Sequence, residues 1–593
     1  MPDAIEKANR FLKEEHAFRL GKLLTEAAHP KTQALSQTAQ TDLPAAVAML
    51  QSVDADIPPV AEKVFQDKVF QELVDALVQA MEAGNRIYFT GCGATGRLAI
   101  LLEAAWQRFC RQCRQETPKR LGGLPDPTDR IVSVMAGGDY ALIKAVEGFE
   151  DFPDFGRYQL KQAGVKQGDV VVAVTEGGET PFVIGTAWQG LDAGAKVFFV
   201  YNNPTGVLCR HVTRSREVIE EPRIRKIDLT TGPMAITGST RMQAVTIELL
   251  VLGSALEMAL ARLLRERPAA ELGLPAQYSE VFCRLLTQLS SPSVIRAMTD
   301  AILFEGDIYG RDGLITYVAD SFLLDVLTDT TERSPTFMLP PFRKLVPKVR
   351  APKGRADKSS PHPWAFVKDP FRSTRDAWRS LLSREPRGLQ WDATVYEQLS
   401  APTVLLAEPP QLSNDEIYKF QIGWEPDASR TDAPDSAMVA IAVGDEVSHL
   451  VPAALKVFGT QYKKTATALI GPTAVSSDTG RRFEFTCDLP DSPLQLWHHL
   501  AVKLVLNTIS TATMVRMGRV LGNAMVWVSP SNKKLIDRGC RLISQVTGCS
   551  YEKACTKLHQ TMDEVESRSQ QGQNVPSPVA LAIEQLKPKN PSH

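Results

Sequence analysis

Apolar residues in the first half of this chain follow two alternating rhythms. Short continuous runs bounded by glycine or proline predict buried parallel strands; longer stretches with apolar positions three and four apart predict helices over them. The strand-like runs are residues 86–90, 130–135, 169–175, 196–201 and 225–229. Helical spacing occupies 97–112, a segment carrying Glu147 and Glu150, a segment from Pro181, and 241–264. Such alternation predicts class α/β, a doubly wound parallel sheet of the flavodoxin-like kind, with ligands at the C-terminal ends of its strands. Ahead of it lie one or two exposed helices (3–28), an extended arm with a helix (24–59), and a helix over 60–83.

The second half repeats the pattern more faintly. A helix at 292–303 precedes a strand at 307–309 and a helix at 315–328, and strands recur near 418–424, 438–443, 467–470 and 483–487. A long helix, 494–521, matches 241–264 in placement. Residues 346–363, basic and proline-rich, predict a solvated loop, and 532–587 a helical tail. The expected division is 1–65 arm and helices, 66–268 first α/β domain, 269–295 linker, 296–490 second α/β domain, and 491–593 helical cap.

The first strand runs into Gly91-Cys92-Gly93-Ala94-Thr95-Gly96 and then a helix. Strand, glycine turn and helix start gather free backbone N–H groups at a positive dipole end, an anion pocket to which Thr95 adds a hydroxyl. Gly91, Gly93 and Gly96 fit the dinucleotide pattern GxGxxG, but no acidic residue closes a second strand about 20 residues on. A phosphate therefore fits better than a dinucleotide. After Tyr309 the second half has no such loop, which predicts one site per chain.

Composition removes other classes. With 593 residues and a net charge of −1 there is no global field for nucleic acid or anionic lipid. No apolar run reaches membrane-span length and the N-terminal segment is too charged for a signal peptide, which predicts a cytoplasmic protein. Nine irregularly spaced cysteines, with one lone CxxC at Cys110 and Cys113, predict reduced thiols and neither metal nor cofactor.

The segments GCGATGRLAIL, AGGDYALIKAVEGFED, the turn before Thr180-Pro181, and TGSTRM together resemble the sugar isomerase (SIS) domain of N-acetylmuramic acid 6-phosphate etherases. The run KLVLNTISTATMVRMGRVLGNAMVWVSPSNKKL resembles that family's C-terminal helices. Two SIS-like halves in one chain, with LTEAAHPKTQALSQ and LQSVDADI before them, are similar to the layout of glucokinase regulatory proteins. The resemblance implies a phosphosugar site between the halves. Its loop falls on Gly93, Ala94, Thr95 and Gly96, and the second Glu of the EGxED motif is Glu150. The turn residues are Glu176, Glu179 and Thr180; the SRM positions are Ser239, Thr240 and Arg241; and the Lys of KxVLN is Lys503. Asp325 stands where the family places an acidic sugar contact.

Two departures bear on activity. Etherases carry LDASE after GRLGI, and its Glu is their proposed acid; counting from Gly96-Arg97-Leu98, that position is Ala105. Glu103, two residues earlier, points roughly 200° away on a helix of ~3.6 residues per turn. The ASGRTP turn has become Glu176-Gly177-Gly178-Glu179-Thr180-Pro181, and carboxylates there repel a phosphate dianion unless they meet hydroxyls or a cation. With half the acid–base pair missing at 105, the sequence favours a hexose-phosphate sensor of the regulatory-protein kind, with a sugar kinase as partner, over an enzyme. The alternatives are an etherase with Glu150 as base and Glu176 or Glu179 as acid, and an aldose–ketose phosphate isomerase using His498 or His499, which at a helix start are expected on the surface.

Overall fold

The computed structural model describes residues 3–117, 124–146, 148–264, 275–345, 362–431, 433, 435–472, 480–570 and 576–587. Glu147 and residues 346–361 of the loop predicted at 346–363 lie outside them.

Two five-stranded parallel sheets organise the chain. The first contains β1 (Ile87–Gly91), β2 (Ile131–Met135), β3 (Val170–Thr175), β4 (Lys196–Tyr201) and β5 (Ile224–Asp228), in the order β2-β1-β3-β4-β5. The second contains β6 (Ile315–Val318), β7 (Ala365–Lys368), β8 (Ala437–Val443), β9 (Lys464–Gly471) and β10 (Arg481–Thr486), in the order β10-β9-β8-β6-β7. Reversed, that is the same order, so the chain holds the same doubly wound topology twice. Every residue of β1 and β3 is buried, as expected of strands covered on both faces.

The helices Gln243–Leu263 and Leu496–Arg516 pack against each other and carry one hydrophobic core from the first half into the second. Gln243–Leu263 is long and apolar enough to cross a membrane by composition, but its most apolar window is 94% buried within the protein.

Several expected elements fall elsewhere. Residues 307–309 are not a strand; they end the helix Pro292–Gly310, and the first strand of the second sheet is β6. The turn after β6, Ala319-Asp320-Ser321, still has no glycine. The expected strand at 418–424 is absent: the helix Asn414–Ile417 leads into a loop there, and the missing edge strand is β7. Residues 60–83 divide at Asp67, whose extended backbone ends one helix and whose side chain caps the next by accepting from the Val69 N–H. Within the expected linker, Pro275–Leu289 is a helix. Glu150 sits in a turn, not a helix. His499 is buried, not at the surface, because its helix runs through the core, and its Nδ1 lies 2.8 Å from Asp325 Oδ1.

Candidate functional site

At the C-terminal edge of the first sheet, β1 ends in the tight turn Gly91–Gly93. A Cβ on Gly91 would stand 2.6 Å from the Thr95 carbonyl carbon, so only glycine fits. Gly93, at φ +54°, faces open space. The helix Gly93–Glu116 starts there, and the Thr95 hydroxyl locks its first turn, donating to the Cys92 carbonyl (2.8 Å) and accepting from the Cys92 N–H (3.1 Å). Thr95 is thereby used by the loop itself.

In front of this helix start lies a cavity of about 440 Å³, assembled from three parts of the chain. The first half supplies Gly93, Ala94, Arg97, Glu150, Asp151, Glu176, Thr180, Ser239, Thr240 and Arg241. The helix Leu323–Phe337 of the second half supplies Thr331 and Glu332, and the helix Lys533–Thr547 of the cap supplies Lys534 and Arg538. Of the residues picked out by sequence, Thr95, Gly96, Glu179 and Lys503 do not line it. The Cβ of any residue replacing Gly96 would press on Met135, so that glycine serves packing. Lys503 is half-buried against Arg241, donating to its carbonyl (2.5 Å) and to Asn507 Oδ1 (2.8 Å). Asp325 lies at the second sheet's edge with His499.

The walls carry both charges, sorted by contact. Lys534 Nζ lies 3.3 Å from Glu150 and 3.0 Å from Glu179. Burial works against its charge, but the two carboxylates hold its ammonium above the usual lysine range. Glu179 is also gripped by Arg214 at 2.5 Å. Despite burial, Lys534 and Arg214 keep its carboxyl below the usual range, so it has no proton to donate near neutrality. Glu176 differs. Burial pushes its carboxyl up to about 7, aided by the Glu150 and Glu332 charges and opposed by Lys534. It therefore holds its proton about half the time at neutral pH, while the Thr240 hydroxyl donates to its Oε1 (3.3 Å). Asp151 is likewise pushed to about 7 by burial.

Two guanidiniums face the cavity with donors unused. Arg97 is 4% exposed; Nη2 donates to the Leu142 carbonyl (3.2 Å) and Nε has no partner. Arg241 is 3% exposed; Nη2 donates to Asp329 and to Ser510 Oγ (2.9 Å), leaving Nε and Nη1 without hydrogen bonds. Buried guanidinium donors left open beside a cavity are the kind of group with which an anion pairs.

Glu332, which sequence reasoning missed, lies 3.4 Å from Arg241 Nε, and neither of its carboxylate oxygens has a hydrogen-bond partner. Its helix follows β6 as Gly93–Glu116 follows β1. Ala105 comes 14 residues after Gly91 (105 − 91), and Glu332 comes 14 after Val318 (332 − 318). The two helices touch, and Glu332 on one of them lines the cavity at the first sheet's edge. One turn beyond Ala105, Arg108 feels the charges of Asp325, Glu446 and Asp320, all on the second half. Position 105 thus faces away from the cavity, and Glu332 is its counterpart inside. The signal was available: Asp329-Thr330-Thr331-Glu332 repeats the spacing of LDASE.

Comparison with known proteins gives consistent relatives. Residues 69–189 match the family described as "Glucokinase regulatory protein N-terminal SIS domain". An N-acetylmuramic acid 6-phosphate etherase from Salinibacter ruber is 30% identical over 251 residues, 42% of this chain and 73% of that protein. One from Actinobacillus pleuropneumoniae serotype 5b is 29% identical over 233 residues, 39% of this chain and 67% of that one. Among solved structures, the C-terminal domain of glucosamine-fructose-6-phosphate aminotransferase from Francisella tularensis is similar at 10% identity and TM-score 0.43, over 79% of this chain and 95% of that one, too loosely to bear on function.

Proposed function

The chain belongs to the N-acetylmuramic acid 6-phosphate etherase family of SIS-domain proteins, and from that premise we propose that it is a carbon–oxygen lyase acting on a phosphorylated amino sugar. Glu150 takes the C2 proton, the C3–oxygen bond breaks, and Glu332 delivers a proton to the departing lactyl oxygen. The observation that carries this reading is Glu332. A single SIS half with Ala105 lacks the acid, but the second half places a carboxyl at the equivalent step of its own first helix, in the cavity that Glu150 lines. Arg97 and Arg241 offer the free donors for the phosphate.

The turn at 176–180 no longer argues against a phosphate. Glu179 is neutralised by two cations, and Glu176, when protonated, donates to an anion instead of repelling it. Affinity for the sugar phosphate is therefore expected to fall as pH rises through about 7, where Glu176 ionises. Calorimetric titrations on both sides of that pH should show it, and Glu176→Gln should flatten the dependence that the ligand's own ionisation does not explain.

Incubation with N-acetylmuramic acid 6-phosphate and assay of free D-lactate tests the activity directly. Release at about one turnover per second or faster is expected, an ordinary enzymatic rate. Binding without release would favour the second reading, a phosphosugar-responsive regulator with a sugar kinase partner. That reading draws support from the family matched by residues 69–189 and from the pairing of two SIS halves in one chain. An isomerase gains nothing: neither His498 nor His499 lines the cavity.

A further inference from the structure

A second cavity, of about 340 Å³, lies where the helices Leu43–Asp54, Pro275–Leu289 and Leu496–Arg516 meet, and it shares no lining residue with the first. Ala48, Thr287 and Ser290 stand exposed at its mouth. Asp54, 4% exposed, and Thr508, 1% exposed, form its floor. Its volume falls at the small end of the ~300–1,000 Å³ of ordinary ligand sites.

The polar groups of this wall are acceptors. The hydroxyl protons of Ser52, Thr287, Ser290 and Thr508 are all donated to main-chain carbonyls, at 2.7–2.9 Å for the shortest contact of each, leaving lone pairs free. The Gln51 amide spends its Nε2 on the Leu289 carbonyl (2.8 Å), while its Oε1 has no partner. Asp54 accepts no hydrogen bond among the described residues; burial, its first influence, pushes the carboxyl up to about 7, and the Lys503 ammonium pulls it back. A buried carboxyl without a hydrogen-bond partner favours any ligand whose hydroxyl reaches it.

We propose that this cavity is a binding site for a small neutral polyhydroxy compound, a sugar or polyol. The ligand must bring donors, since the wall's hydroxyls and the Gln51 amide have spent theirs on the protein. It need not bring positive charge, because Lys503 already stands near Asp54, and a second ammonium would be repelled at close range. Apolar side chains of Leu286, Ile295 and Leu504 suit the C–H face of a sugar ring. This site is independent of the lyase reading and stands or falls without it.

The test is isothermal titration of the full chain with a panel of D-glucose, D-fructose, D-glucitol and glycerol, against ethanolamine and methylamine. Saturable heat with at least one neutral polyol is expected. Asp54→Asn should weaken it about tenfold or more. Ala48→Trp, at the exposed mouth, should abolish it while leaving the thermal midpoint unchanged. Glu150→Gln, in the first cavity, should leave it intact. No saturable heat with any polyol would overturn the proposal; so would binding by the amines alone, or polyol binding that Glu150→Gln removes and Ala48→Trp spares.

Discussion

Glu332→Gln is expected to lower the rate of D-lactate release by ~10²–10⁴-fold, the usual worth of a positioned general acid. Gln keeps the shape and cannot protonate a leaving oxygen. Substrate affinity should change little, since Glu332 accepts no hydrogen bond that Gln would have to replace, so the loss belongs in kcat rather than KM. Glu150→Gln should cost a comparable factor, and the double variant little more than either alone, because a base without its acid is already half a machine. Ala105→Glu should restore nothing to Glu332→Gln, since position 105 faces the other half's sheet edge. If Glu332→Gln keeps full activity while Glu176→Gln loses it, the acid is Glu176, and the correspondence with LDASE is only one of spacing.

That outcome turns on a feature of which only part could be read in the chain. The first sheet was legible because its strands are unbroken apolar runs cut off by glycine or proline: β4 begins and ends where the pattern places it, and β1, β2, β3 and β5 lie within a residue. In the second half the same signal is thin. Asp307-Ile308-Tyr309 has the apolar look of a strand, yet it completes a helix whose buried face includes Ile302 and Ile308. β7 is four residues long, too short to announce itself. In the site, the loop and turn residues of the first half could be named because they lie next to their own strands. Lys534 could not, because it enters the cavity by packing from ~380 residues beyond Glu150, and Glu332, ~180 residues beyond, had only its spacing from Asp329 to mark it. The acid sought at 105 illustrates the difference. The counting was sound, but a helix longer than its own domain's pocket delivers its middle to a neighbour, and the same geometry returns Glu332 from the neighbour.

Arg241→Met is expected to destabilise the protein by ~3–5 kcal/mol, the cost of breaking a buried ion pair by removing one member. The guanidinium is 3% exposed and joins the start of the helix Gln243–Leu263 to Asp329 and Glu332 of the second half and Ser510 of the helix Leu496–Arg516. Asp329 keeps Arg333 at 2.7 Å and Asn507 at 2.9 Å, which limits the loss; Glu332 loses its nearest ion pair and keeps only the more distant charges of Arg97 and Lys503. Denaturant midpoints would measure it, and Glu332→Gln in the Arg241→Met background should recover part of the loss, because the carboxylate that loses its ion pair then loses its charge as well. This makes Arg241 a clamp between the halves as well as an anion donor, so weakened phosphosugar binding in the variant must be read against its stability. An unchanged midpoint would mean the ion pairs contribute nothing to holding the halves together. The open Nε and Nη1 donors would then be the residue's main reason for lying where it does.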